Sequence, residues 1–166
     1  SFATSVIVSA FSEKLSELKE NRIIEQVNKS KSFLLVCGYG QMTKMFFRHY
    51  GGEYDNYIIL ENSLERMEQA RKDGYDAINE DASRYETLSK FNTDHCDITI
   101  LCLTASDVEN IYITLNAKSI STSIKVIARA NDSSMISKFK HAGADHVLMP
   151  NKVANTMIHT AITQPT

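Results

Sequence analysis

The chain carries 166 residues, with 18 Lys and Arg against 20 Asp and Glu, a formal net charge of −2, 43% hydrophobic residues, no Trp and two Pro. Around 150 residues, one domain buries about 70% of the surface its unfolded chain exposes, so a core forms without disulfide or metal staples. This balance of charge and hydrophobicity excludes wholesale disorder, and the missing basic excess removes the electrostatic footprint of non-specific nucleic-acid binding.

The first twelve residues hold no charge and include Phe2, Val6, Ile7, Val8 and Phe11. They fall short of the roughly 18 apolar residues of a membrane span. With no basic leader, initiating Met or A-x-A site, they also fit a secretory signal poorly. The chain reads as cut at both ends, opening inside an apolar segment and stopping just after Pro165. Two readings of this start stay open: a short helix packed on its own domain, or the last turns of a membrane helix. Residues 13–31 are charge-rich, with Leu15, Leu18, Ile23 and Ile24 near helical spacing, and predict an amphipathic helix or linker.

From Ser32 onward, short β-branched or aliphatic runs alternate with helical segments. Runs at 33–37, 57–60, 77–78, 98–103, 125–128 and 146–149 read as strands, and segments at 41–49, 63–73, 83–91, 107–119, 133–141 and 152–162 as helices. The alternation predicts an α/β fold, a doubly wound six-stranded parallel sheet with an amino-terminal linker helix. Continuous apolar character in the second and the fourth to sixth strands predicts burial on both faces. Gly74 and Gly143 stand where left-handed helix caps are expected. Cys37 and Cys102 lie in apolar runs and read as buried thiols of a reducing compartment, while Cys96 sits alone beside His95. The five histidines lack a nucleophile at a recognisable spacing, and His141 and His146 straddle a glycine turn, so they share no helical face as a zinc pair would.

Directly after the first strand comes Gly38-Tyr39-Gly40-Gln41-Met42-Thr43, a G-x-G-x-x-T run that opens a helix. Gly38 permits the tight turn, Gly40 lets backbone approach a pyrophosphate on the helix N-terminus, and Thr43 in place of a third glycine is expected to hold helix and strand slightly apart. Glu61, 21 residues beyond Gly40, ends the second strand where an acid accepts hydrogen bonds from ribose hydroxyls.

Further motifs follow in order: Ile59-Leu60-Glu61 with Glu65 to Glu68, Asn79 to Ser83, Leu101 to Thr104 with Asp107 and Asn110, the V-I-A-R-A-N-D run from Val126 to Asp132, and Ala142-Gly143-Ala144-Asp145 leading to Met149-Pro150. As a set spanning about 32–162, they resemble the RCK domain (regulator of K+ conductance), also called the Trk-type KTN NAD-binding domain. Residues 2–11 look like the cytoplasmic end of the inner pore helix of a bacterial potassium channel. The resemblance divides the chain into 1–31 (pore-helix end and linker), 32–151 (Rossmann-like RCK lobe) and 152–166 (crossover or dimerisation helix).

The resemblance implies a non-enzymatic, ligand-sensing cytoplasmic domain of an inner-membrane potassium channel, assembling as a homo-oligomer, dimer or gating ring, that acts on the pore of the same chain and not on nucleic acid. It implies NAD(H) or an adenine nucleotide as ligand. Gly38, Tyr39, Gly40, Gln41 and Met42 would surround phosphates, Glu61 would hold ribose, and Asp81 and Ala82 would lie near a base. Thr104 and Ala105 would lie beneath ribose or phosphate, with Arg129 facing a phosphate or a neighbouring subunit. No catalytic residue or metal is implied. Gln41 stands where many nucleotide-binding relatives carry Arg, which weakens the pull on a multiply charged phosphate chain. Arg129 and Asn131 stand where calcium-gated relatives carry acids, which leaves Asp81 without the oxygens a calcium ion needs. Two rivals remain: a stand-alone regulatory subunit of a Trk/Ktr-type transporter, which leaves residues 2–11 idle, and an NAD-dependent dehydrogenase fragment, which lacks a substrate domain and an acid/base residue.

Overall fold

Five successive buried side chains, Phe33 to Cys37, make β1 (Ser32–Cys37) the centre of the sheet, because only a strand covered on both faces hides every residue. In the computed structural model, which describes residues 2–91, 97–150, 159 and 161–163, six parallel strands run in the order β3-β2-β1-β4-β5-β6. The remaining strands are β2 (Tyr57–Leu60), β3 (Ala77–Ile78), β4 (Asp97–Cys102), β5 (Lys125–Arg129) and β6 (His146–Leu148). Register places Cys37 beside Leu60 on one side and Cys102 on the other. The order reverses between β1 and β4, and the crevice beyond the strand ends at such a point is where α/β sheets bind ligands.

Alternation along β1 sends Phe33, Leu35 and Cys37 to one face and Leu34 and Val36 to the other. The first face is closed by α4 (Tyr85–Leu88), α5 (Asp107–Ile120) and α6 (Ile136–Ala142) through Leu88, Ile113, Ala117 and Phe139. The second is closed by α2 (Gln41–Tyr50) and α3 (Leu64–Lys72) through Phe47, Met67 and Ala70. Gly74 and Gly143 do adopt positive φ, at 94° and 104°.

Several elements differ from the sequence reading. The apolar start and the charge-rich stretch after it are joined in one helix, α1 (Phe2–Asn28), of 27 residues. Only Ile23 and Val27 of this helix are buried in the core, whereas Leu15 and Leu18 are half exposed. At 3.6 residues per turn, Val8, Phe11, Leu15 and Leu18 form a stripe roughly a third of a turn away from Ile23 and Val27, so one helix cannot bury both sets against one sheet. The strand β6, at one edge of the sheet, is not buried on both faces: His146 and Leu148 are exposed. The segment 83–91 shrinks to the four-residue α4, because Ser83 is held in a turn by the Asp81 carboxylate. The segment 133–141 begins as a 3-10 turn before α6. Most of 152–162, together with His95 and Cys96, lies outside the described residues.

Candidate functional site

At the carboxyl ends of β1, β2, β4 and β5 opens a cleft of about 640 Å³. Its floor is the turn after β1. Gly38 sits at φ +99°, and a Cβ there would come within 3.3 Å of the Thr104 backbone, so both the conformation and the closeness of the two strand ends demand glycine. Gly40 is different: its backbone is extended, and a Cβ would meet nothing within 4 Å. Gly40 is the N-cap of α2 and supplies no side-chain cap, and the first turn of α2 holds no acid. By contrast Ser63 caps α3 and Ser106 caps α5, each accepting from a backbone N–H of its helix. The N–H groups of the first turn of α2 therefore meet the cleft with the positive end of the helix dipole uncompensated, the geometry that suits an anion.

Thr43, fully buried, does more than fill the place of a third glycine. Its hydroxyl donates to the Gly38 carbonyl at 2.7 Å, tying α2 to the turn. Tyr39 is buried to 2% exposure and its hydroxyl donates to the Asp73 carboxylate. Burial first, then that hydrogen bond, push the Tyr39 phenol well above its ordinary range, so it stays protonated. Tyr39 thus lines the cleft through its backbone neighbourhood, while its ring belongs to the aromatic packing with Tyr75.

Glu61, at the end of β2, is only 4% exposed. Its carboxylate accepts from the N–H of Tyr39 at 3.1 Å, from the N–H of Ser63 at 2.6 Å and from Arg66 Nε at 3.0 Å. A carboxylate has about four acceptor positions, so roughly one remains for a ligand hydroxyl. Asn79 reinforces this corner by donating to the carbonyls of Glu61 and Asn62, both at 3.0 Å, while its own N–H donates to Glu20 of α1 at 3.2 Å.

On the other side, Thr104 ends the β4 segment and is pinned by Asn110, which is fully buried. Asn110 Oδ1 accepts from the N–H and the hydroxyl of Thr104, and its amide donates to the carbonyls of Thr104 and Arg129 at 3.0 Å each. Asn110→Ala removes all four links and strands buried backbone groups. We expect a loss of about 3 kcal/mol and a fall in Tm of about 6–12 °C in thermal unfolding. An unchanged Tm would mean that the two strand ends do not depend on this side chain.

Nine of the eleven expected site residues line the cleft: Gly38, Tyr39, Gly40, Gln41, Glu61, Ala82, Thr104, Ala105 and Arg129. Met42 and Asp81 do not. The Met42 side chain turns away to pack on the opposite apolar cluster, because position two of α2 faces the sheet. Asp81 spends Oδ1 on the N–H and hydroxyl of Ser83. Among the described residues no three His, Cys, Asp or Glu groups gather as a metal site would require. Arg129 enters the cleft with its Nε buried and without a hydrogen-bond partner.

The sequence reading missed Arg66, Glu80 and Glu109, all of which line the cleft. Glu80 is paired with Lys90 at 2.5 Å and Arg66 with Glu61. Glu109 pairs with no basic side chain among the described residues. Burial, then the neighbouring Asp81 and Glu61 carboxylates, hold its carboxyl above the ordinary range. A visible signal existed: Ser106-x-x-Glu109 has capping-box spacing. Cys37 and Cys102 are free and buried, and burial pushes both thiols up, to about 12 for Cys102, which leaves them unreactive.

The profile of the TrkA-N domain matches residues 34–150. Potassium channel protein 1 of Methanocaldococcus jannaschii is 27% identical over 131 residues, 78% of this chain and 39% of that protein. The chain spans 25–44% of the length of the curated relatives it matches. In structure it is similar to the NAD(P)-binding domain of an exopolyphosphatase-related protein from Archaeoglobus fulgidus, with TM-score 0.69 and 19% identity, covering 78% of this chain and 96% of that one. It is also similar to the GsuK channel, in a form bound to NAD (TM-score 0.65, 15% identity, 73% of this chain and 22% of that one) and in one bound to ADP (0.71, 14%, 82% and 36%). At these identities the structural likeness speaks for the Rossmann-like fold.

Proposed function

From the premise that the chain belongs to the TrkA-N domain family, we propose that it is the cytoplasmic ligand-sensing domain of a potassium channel, regulatory rather than catalytic, which takes NAD or an adenine nucleotide in its cleft and passes the occupancy to a pore through α1. One observation carries the reading. The corner of the cleft that holds Glu61 is tied by Asn79 to Glu20 of α1, and Ile23 and Val27 seat the same stretch of helix in the core. A ligand that shifts the Glu61 corner therefore shifts the base of a helix whose far end projects with Phe2, Ile7 and Phe11 exposed.

That exposed end favours the channel reading over a stand-alone transporter subunit, which has no use for it. No described helix is long and apolar enough to cross a membrane; in this proposal α1 is the connection to the pore. The uncapped N-terminus of α2 supplies the phosphate site, the open Glu61 acceptor takes a ribose hydroxyl, and Arg129 stands ready for a phosphate or a neighbouring copy. Assembly into a ring of such domains would convert small shifts at each α1 into tension on a pore.

The test is potassium flux from vesicles reconstituted with the full-length protein. Addition of NAD or ADP is expected to change the flux rate severalfold. A flux indifferent to both nucleotides, or a protein that passes no potassium, would sink the reading.

A further inference from the structure

The second face of the sheet is closed unevenly. Phe47, Met67 and Ala70 of α2 and α3 join one buried cluster with Val36, Ile59 and Ala77. Over β5 and β6, by contrast, Ile127 is only partly buried and His146 and Leu148 are exposed. The result is a groove of about 500 Å³ behind α2, which shares only Leu103 with the cleft. Leu101 and its register partner Ile127 form the floor, and Met42 and Phe46 of α2 form one wall. The charged side chains of the lining are both basic. Lys125 stands two residues before Ile127 and so on the same face, and His146 is the register partner of Ile127. Both are exposed, and neither makes an ion pair among the described residues. Two acids lie nearby. Asp145 is spent on the Val126 N–H and Lys118, and Asp97 falls short of Lys125, whose register partner is Thr99.

We propose that this groove is a binding site for a free medium-chain fatty acid, whose acyl chain lies along Ile127, Leu101 and Leu103 and whose carboxylate meets Lys125 and His146. The volume and an apolar lining with few polar groups are those of a small-molecule site. From the level of Lys125 to that of Leu103 is four residues of β4, about 13 Å, the reach of an acyl chain of about ten carbons. The two cations select the charge of the head group, and a partly exposed pair of this kind shifts affinity a few-fold. They also argue against the nearest alternative occupant. Residues 151–166 bring apolar Val153, Met157 and Ile158, but with them Lys152 and His159 and no acid, so this segment, from the same chain or a second copy, sets cations against cations. The inference stands apart from the nucleotide reading, although both ligands meet α2, through Gln41 on one side and Met42 and Phe46 on the other.

The experiment titrates decanoate, octanoate and decyltrimethylammonium, each below the concentration at which it forms micelles, into the full chain at low ionic strength, with amide NMR as the readout. Decanoate is expected to shift the amides of Leu101, Ile127 and Val147 saturably. It binds about five- to tenfold more tightly than octanoate, the effect of two partly buried methylenes, and a few-fold more tightly than the cation of the same chain length. In the double variant Lys125→Gln, His146→Gln the preference for decanoate over decyltrimethylammonium falls to about one. Both positions are exposed, so the fold is kept, and circular dichroism checks it. Equal binding of the two head groups by wild type, or an unchanged preference in the folded double variant, overturns the inference. Groove amides that do not respond to decanoate overturn it too, and point to residues 151–166 or a second copy as the occupant.

Discussion

Gly40→Val is expected to abolish the thermal stabilisation that NAD or ADP gives the chain, while the melting temperature without ligand moves by no more than about 2 °C, as for an ordinary surface change. Both halves of this expectation come from the local geometry. Gly40 is extended and exposed and a Cβ there meets nothing within 4 Å, so valine enters without clash or left-handed strain. The same open space is the approach to the first-turn N–H groups of α2, and a branched side chain occupies it. At a hundredfold excess over Kd, a ligand stabilises the native state by about 2.7 kcal/mol. That corresponds to a rise of about 5–10 °C in wild type, and none in the variant. Gly38→Val makes a poor substitute, since its positive φ and the Thr104 backbone at 3.3 Å would cost folding itself. Equal stabilisation of wild type and Gly40→Val would move the ligand away from α2.

The second large effect lies in α1. Replacing residues 12–18 of the full-length protein by a Gly/Ser run of equal length is expected to leave nucleotide affinity unchanged and to remove the ligand-dependent change in open probability. The bounds of the replacement follow from the packing. Glu20, Ile23 and Val27 belong to the domain, so a longer replacement would unfasten the core together with the linker. Residues 12–18 stand between that anchor and the exposed end. At 1.5 Å per residue the 27 residues of α1 reach about 40 Å, and a helix carries displacement over that distance where a Gly/Ser coil absorbs it. A ligand shifts a gating equilibrium only by its differential affinity for the two states, and that difference has to reach the pore through a stiff connection. Undiminished gating through the flexible segment would contradict the α1 route and leave assembly of the domains as the means of control.

Local chemistry made much of the fold legible. Strand runs separated by helical segments gave the parallel sheet, and Gly38 after the first run marked the tight turn at the end of β1, which needs glycine. The reading went wrong where tertiary position overrides pattern. His146 to Leu148 looks like a buried run, but His146 and Leu148 are exposed and only Val147 is partly covered. Leu15 and Leu18 have helical spacing, yet the sheet is reached only by the last turns of α1, a fact about where the helix docks and not about its periodicity.

In the site, residues joined to the glycine turn were readable from the sequence, whereas Met42 and Asp81 were displaced by one-residue geometry. A helix turns 100° per residue, so Met42 leaves the cleft that Gln41 lines. Asp81 gives way to Ala82 and Glu80 because it caps Ser83. Arg66 reaches the cleft from the first turn of α3, five residues beyond the Glu61 it pairs with, whereas Glu109 comes from α5 and only the folded sheet brings it to the same cleft.

In the proposed mechanism a ligand at the start of α2 is felt at α1, and amide NMR during an ADP titration reads both ends at once. Saturable shifts are expected at the backbone amides of Gly40, Gln41 and Met42, and at the Asn79 amide, which donates to Glu20. No saturable shift at the three α2 amides, or shifts there with the Asn79 amide unmoved, would contradict it.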